Sequence, residues 1–321
     1  MRERALLFGD HKSLVGIVTE PAAGERRADR PAVLLLNAGV LHRAGPNRLY
    51  VRLARRLAAA GHLVLRFDAS GIGDSRARTD GMPFARSTVR EARQAMDLLA
   101  SSHGAGRFVL AGLCSGADNA VRIAGDDARV VGLALLEPYA VPSPGHLVSS
   151  YRSRFLSPRS WWRLLSGRSE LWSALKRRPA EPPPAPPAEA PAPPADAPEM
   201  LVPSEAAYAE QLASLARRNL DLCLVYSAGN PAHYHYRTRF RRALRAARGQ
   251  GTTRVEVLPR TDHAFTPLDT QEALLRALCD WAAGAGRAAV APGEHPRAAA
   301  AGAAALSGGA GSGTAARVPP A

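Results

Sequence analysis

The sequence predicts an α/β protein built on one mainly parallel, eight-stranded sheet with helices on both faces. Three observations predict it. Short apolar runs bounded by turn residues recur eight times, at 4–8, 13–19, 32–37, 62–67, 107–112, 130–136, 221–227 and 254–258. Longer amphipathic stretches fall between the later runs, as crossover helices do between parallel strands. At 321 residues, 46% of them hydrophobic, the chain can bury a full core.

The first two runs have no helical pattern between them and predict an antiparallel hairpin at one edge of the sheet. Helical patterns follow near 46–60, 86–102, 115–125, 205–218, 236–248 and 268–284. The alternation breaks once, after the strand that ends near Leu136. Residues 141–178 set Tyr151, Phe155, Trp161, Trp162, Leu164, Leu165 and Trp172 among many Arg, a pattern of short amphipathic helices suited to a lid over the sheet. Residues 179–203 are Pro-rich, with few large apolar side chains, and predict a disordered, polyproline-like spacer. The core is thus expected in two parts, 1–140 and 204–286. The Ala, Gly and Pro of 287–321 cannot repay the entropy of ordering, so a disordered tail is expected there.

The formal charge of +14 raises nucleic acid as a partner, but Lys occurs only at positions 12 and 176, and the Arg residues are scattered. No basic run carries interleaved aromatics, so compositional bias is the expectation and nucleic acid is not. Three cysteines, Cys114, Cys223 and Cys279, are too few and too far apart for a disulfide framework or a zinc site, which favours a reducing compartment. The start, MRERALLFGDHK, lacks the apolar stretch of a signal peptide. No later run approaches bilayer length, so a cytoplasmic protein without a membrane span is expected.

The chemistry concentrates in RFVLAGLCSGADNA, Arg107 to Ala120. An apolar strand runs into G-x-C-x-G and then into small residues that start a helix. This pattern marks a nucleophile elbow, where the reactive side chain sits on a strained turn and flanking glycines relieve the crowding. Gly112 and Gly116 bracket Cys114; an apex at Ser115 would instead be flanked by Leu113, which is too bulky. Cys114 is the candidate nucleophile, expected to ionise readily because a helix N-terminus and an imidazole both favour its thiolate. Otherwise it is a small buried turn residue, the reading preferred for Cys223 on a strand and Cys279 on a helix.

Such a nucleophile needs a base, and the loop after the last strand, PRTDHAFTP, supplies His263. His11, His62, His103, His146 and His295 read as surface residues, and His233 and His235 as surface or lid contacts. For the group that orients the imidazole two candidates stand: Asn230, after the strand ending at Ser227, and Glu137, at the end of the preceding strand. Asp262, next to the histidine, is expected to shape the turn. An oxyanion hole would take one N–H from Ser115 and one from Val40, in the Asn37–Val40 loop. The glycines of RFDASGIGDS, Gly71 and Gly73, lack the spacing and the Lys-Ser/Thr of a phosphate loop and read as structural.

The segments NAGVLHRAGPNRLYVRLAR, LRFDASGIGDS, GLCSGA and TDHAFTP together resemble bacterial α/β-hydrolases of the serine-aminopeptidase-like group, including hydrolases associated with exosortase systems. The resemblance spans residues 1–284 apart from the insertion. It implies an α/β-hydrolase fold and a hydrolase acting on esters, thioesters or amides. The elbow cysteine is similar to that of dienelactone hydrolase. Asn230 departs from the pattern, since these families usually place Asp there.

The sequence therefore points to covalent acyl transfer to water on Cys114 and His263, without metal or organic cofactor. The substrate expected is a small acyl compound, possibly carrier-bound in view of the Trp and Arg of the lid segment. Acyl transfer to another acceptor and a non-catalytic binding module are the alternatives.

Overall fold

The computed structural model describes residues 1–139, 141, 203–228, 230–247, 249 and 251–286. The expected lid and spacer, apart from Val141 and Pro203, and the expected tail lie outside these residues. Eight strands form one sheet: β1 (Arg2–Phe8), β2 (Leu14–Glu20), β3 (Ala32–Leu36), β4 (Val64–Phe67), β5 (Phe108–Leu113), β6 (Val130–Leu136), β7 (Asp221–Ser227) and β8 (Thr253–Leu258). Their spatial order is β1-β2-β4-β3-β5-β6-β7-β8. β1 and β2 form the expected hairpin, with Phe8 opposite Leu14, and β2 joins β4 antiparallel. Every other pairing is parallel.

The strand patterns follow from position in this sheet. β3, β5, β6 and β7 are covered on both faces and are buried along their whole length, so they read as unbroken apolar runs. The edge strands β1 and β8 are partly exposed. They carry charge, with Glu3 paired to Arg55 and Arg66 and Arg254 paired to Glu256, which discourages further strand pairing.

Helices α1 (Leu49–Ala59) and α7 (Leu268–Ala282) cover one face, where Leu53 and Leu57 share a core with Leu274, Leu278 and Trp281. The other face is covered by α2 (Phe84–His103), α3 (Ser115–Asp126) and α4 (Glu205–Arg217), through Met96, Leu99, Ile123 and Leu212. After β7 the helical stretch starts at Pro231, five residues before the expected start at 236. It comprises α5 (Pro231–His235), a π-helical turn (Tyr236–Phe240) and α6 (Arg241–Ala246). The earlier start has a local cause: Asn230 caps Ala232 N–H at 3.0 Å, and Pro231 occupies the first helical position. Among the described residues no helix is long and apolar enough to cross a membrane.

This topology locates a site. The chain moves from β3 to β4 on one side and then returns to place β5 on the other side of β3. The loops leaving β3 and β5 therefore diverge and open a crevice at the carboxyl ends of the strands.

Candidate active site

The loop leaving β5 is a tight turn with Cys114 at its apex, at φ 56° and ψ −122°. Such a conformation costs a non-glycine residue about 1–3 kcal/mol and persists only where the surroundings impose it. The surroundings here are backbone. A Cβ on Gly112 would lie 2.3 Å from Gly116 C, and one on Gly116 would lie 2.5 Å from Asn37 O. Only glycine fits at either position, so α3 can start directly against β3 and β5. Cys114 N–H donates to Leu136 O on β6 (2.9 Å), and Cys114 O accepts from Ala117 N–H (2.8 Å). The buried Tyr50 of α1 adds a brace, its hydroxyl accepting from Leu113 N–H at 2.9 Å.

Across the crevice, Gly39 N–H donates to Ser115 Oγ at 2.8 Å. The N–H that reaches the elbow is thus that of Gly39, one residue before the expected Val40, whose side chain is 86% exposed. A buried network holds this loop. Asp68 accepts from Asn37 Nδ2 (3.2 Å), from Arg43 N–H (2.6 Å), from the Arg43 guanidinium and from Asp74 N–H (3.2 Å). Asn37 Oδ1 in turn accepts from Ala69 N–H at 2.9 Å. A narrow cleft opens beside Gly39, lined by Leu36, Phe67, Ile72, Phe84, Glu91 and Asn119 among others.

His263 follows β8 and is half-buried, and the side-chain nitrogen of Asn230 lies 3.1 Å from its Nδ1. Of the two candidates for orienting the imidazole, the structure brings Asn230 to His263 and directs Glu137 elsewhere. Glu137, fully buried at φ 51°, accepts from Ser227 N–H through one oxygen, and among the described residues its other oxygen has no partner. Burial pushes its carboxyl up to about 7, against the hydrogen bond from Ser227.

The expected thiolate is a second point of difference. Burial pushes the Cys114 thiol above its usual range, and Asp118 and Glu137 push the same way, while Ser115 N–H opposes them. Burial likewise lowers His263, with Asp262 opposing. Among the described residues no hydrogen bond joins Cys114 to His263. A helix N-terminus and a nearby histidine favour a thiolate only when desolvation and carboxylates do not outweigh them.

No family model and no curated protein matches the sequence. Solved structures do. An esterase from Pyrococcus furiosus superposes with a TM-score of 0.53 at 13% identity, over 87% of this chain and 89% of its own. Dienelactone hydrolase from Anabaena variabilis gives 0.51 at 12% identity, over 87% and 96%. A proline iminopeptidase-related protein from Thermus thermophilus gives 0.50 at 20% identity, over 90% and 100%. The chain has the α/β-hydrolase fold. At these identities the likeness is one of fold.

Within the α/β-hydrolase fold the remaining candidates fall into packing roles. Gly71 and Gly73 both have positive φ, and a Cβ on Gly73 would meet Asp68 Oδ2 at 2.3 Å, so this turn wraps the Asp68 carboxylate. His42, Asp68 and Asp74 cluster closely enough to suggest a metal, but the Arg43 guanidinium lies between the two carboxylates and supplies the positive charge. Asp262 accepts from Thr266 N–H at 2.8 Å and closes the turn after His263. His235 is buried between Val141 O (2.6 Å) and Glu205 (3.0 Å), at the ends of the segment linking β6 to α4, while His233 packs near Tyr226. Burial raises the thiols of Cys223 to about 12 and Cys279 to about 11.

Sequence reasoning did not single out Gly39 and Tyr50, which reach the elbow. Gly39 lies in the loop it had marked, one residue off. Tyr50 reads as another apolar position of an amphipathic helix, and nothing local marks its hydroxyl as a brace for a strand 63 residues away.

Proposed function

We propose that this chain is a hydrolase that cleaves an ester, thioester or amide of a small acyl substrate through a covalent intermediate on Cys114. The observation that carries this reading is the elbow. Cys114 occupies the strained apex, with the Ser115 N–H on its sulfur and the Gly39 N–H on the adjacent Ser115 Oγ. In this reading the carbonyl carbon of the substrate takes the Cys114 sulfur while its oxygen receives the displaced electron pair. That oxygen is held by the two N–H groups once it displaces Ser115 Oγ from Gly39. His263 receives the thiol proton, delivers it to the leaving group, and then takes a proton from the water that attacks the thioester. Substrate entry brings the imidazole and the thiol together, since catalytic contacts tighten in the bound complex.

A second reading, a binding module without turnover, draws on one specific observation: burial, Asp118 and Glu137 all oppose ionisation of Cys114. Burst kinetics on p-nitrophenyl esters of increasing chain length separate the two. Hydrolysis requires a burst and turnover in the wild type, and a loss of roughly a thousandfold or more in Cys114→Ala. Turnover that survives in Cys114→Ala removes the Cys114 intermediate, and its absence from the wild type on every ester removes ester hydrolysis.

A further inference from the structure

Asn230 faces two partners with one amide. Its Oδ1 accepts from Ala232 N–H at 3.0 Å, capping the helical stretch that starts at Pro231, and its Nδ2 lies 3.1 Å from His263 Nδ1. The cap decides which way round the amide sits. Turned over, Nδ2 would face the Ala232 N–H, donor against donor, and the helix would lose its cap. An amide nitrogen only donates, so His263 Nδ1 accepts. A neutral imidazole that accepts at Nδ1 carries its proton on Nε2.

We infer that Asn230 is a positioning residue that holds His263 in the Nε2–H tautomer and so slows proton transfer from the Cys114 thiol. This inference rests on the hydrolase reading above for its kinetic consequence, though not for the tautomer itself. With Nδ1 engaged by Asn230, Nε2 is the ring nitrogen left for proton transfer. Acylation forms the bond from sulfur to the carbonyl carbon, moves the carbonyl π pair onto oxygen, and sends the thiol proton to a ring nitrogen with a free pair. Nε2 offers no such pair until the ring proton moves to Nδ1. There it would meet the donor face of the Asn230 amide. The protonated ring meets the same obstacle, because an imidazolium carries a proton at both nitrogens. Burial of His263 acts in the same direction.

A carboxylate at this position removes the conflict without removing the cap. In Asn230→Asp one oxygen caps Ala232 N–H, a role Asp fills as well as Asn, and the other accepts from Nδ1–H. The resting ring then presents a free pair at Nε2.

The test uses the full chain with ¹⁵N-labelled histidine, in wild type, Asn230→Asp and Asn230→Ala, with His263 signals assigned from His263→Gln. Two-bond proton–nitrogen correlations above the titration of the ring read the tautomer. The expected result is an unprotonated Nδ1 in the wild type, a protonated Nδ1 in Asn230→Asp, and a solution-like mixture in Asn230→Ala. Acylation of Cys114 by p-nitrophenyl acetate is expected to be roughly tenfold faster in Asn230→Asp, the worth of one hydrogen bond. A protonated Nδ1 in the wild type, or the same tautomer in wild type and Asn230→Asp, overturns the inference whether or not the protein turns over esters. A tautomer switch with acylation no faster in Asn230→Asp than in the wild type overturns the slowing of proton transfer, and a switch with no acylation in any variant upholds the placement of the proton and removes ester hydrolysis by Cys114 instead.

Discussion

At Gly112 and Gly116 one added methyl group would sit 2.3 Å and 2.5 Å from backbone atoms, whereas Asn230 and His263 meet through a single 3.1 Å contact. The elbow is determined by excluded volume. Three strands and a helix converge there, and no residue but glycine lets them approach. The histidine side of the site is determined by the donor and acceptor roles of one amide, which a substitution of similar shape can reverse. A site assembled from two such regions is rigid where Cys114 stands and chemically adjustable at His263.

The largest effect should come from breaking the rigid side. Gly112→Ala places a methyl against the backbone of α3, and overpacking of this kind costs about 3 kcal/mol or more where no flexible side chain can give way. Urea denaturation should show that loss; a midpoint unchanged from wild type would mean that the turn can open.

The next effect concerns the buried carboxyl between the two regions. Folded Glu137 keeps its proton up to about pH 7, while in the unfolded chain it ionises in the ordinary glutamate range. Unfolding between those limits releases a proton, so stability falls as pH rises across that window and levels off above it. The full change attributable to this residue is about 3 kcal/mol. Denaturation midpoints across the window should show the decline in the wild type and a flatter profile in Glu137→Gln. A wild-type profile as flat as that of the variant would place the carboxylate in contact with solvent or a cation.

The smallest effect sharpens the comparison. Tyr50→Phe removes only the hydroxyl that accepts from Leu113 N–H, leaving a buried donor without a partner, and should cost about 1–2 kcal/mol. If Tyr50→Phe matches wild type in stability, the elbow is held by glycine packing alone.

The fold was largely legible along the chain because its signals are local. Each of the eight apolar runs forms a strand, and the β1–β2 hairpin follows from the missing helix between them. The start of α5 was misjudged because hydrophobic periodicity carries no information about capping, and it is Asn230 and Pro231 that open the helix. In the site, the G-x-C-x-G spacing locates the turn around Cys114, since close approach of backbones depends on the residues within it. The approach of Gly39 N–H to Ser115 Oγ was beyond reach, as it depends on where a side chain 76 residues away lies.

The order of strands and helices and the position of the elbow were determined by the sequence alone, because periodicity and the absence of a Cβ act within a few residues. Protonation and donor direction were decided only in the tertiary structure. The Cys114 thiol, the Glu137 carboxyl and the Asn230 amide take their states from burial and from partners contributed by other loops. Desolvation and hydrogen-bond direction arise only when those loops are brought together.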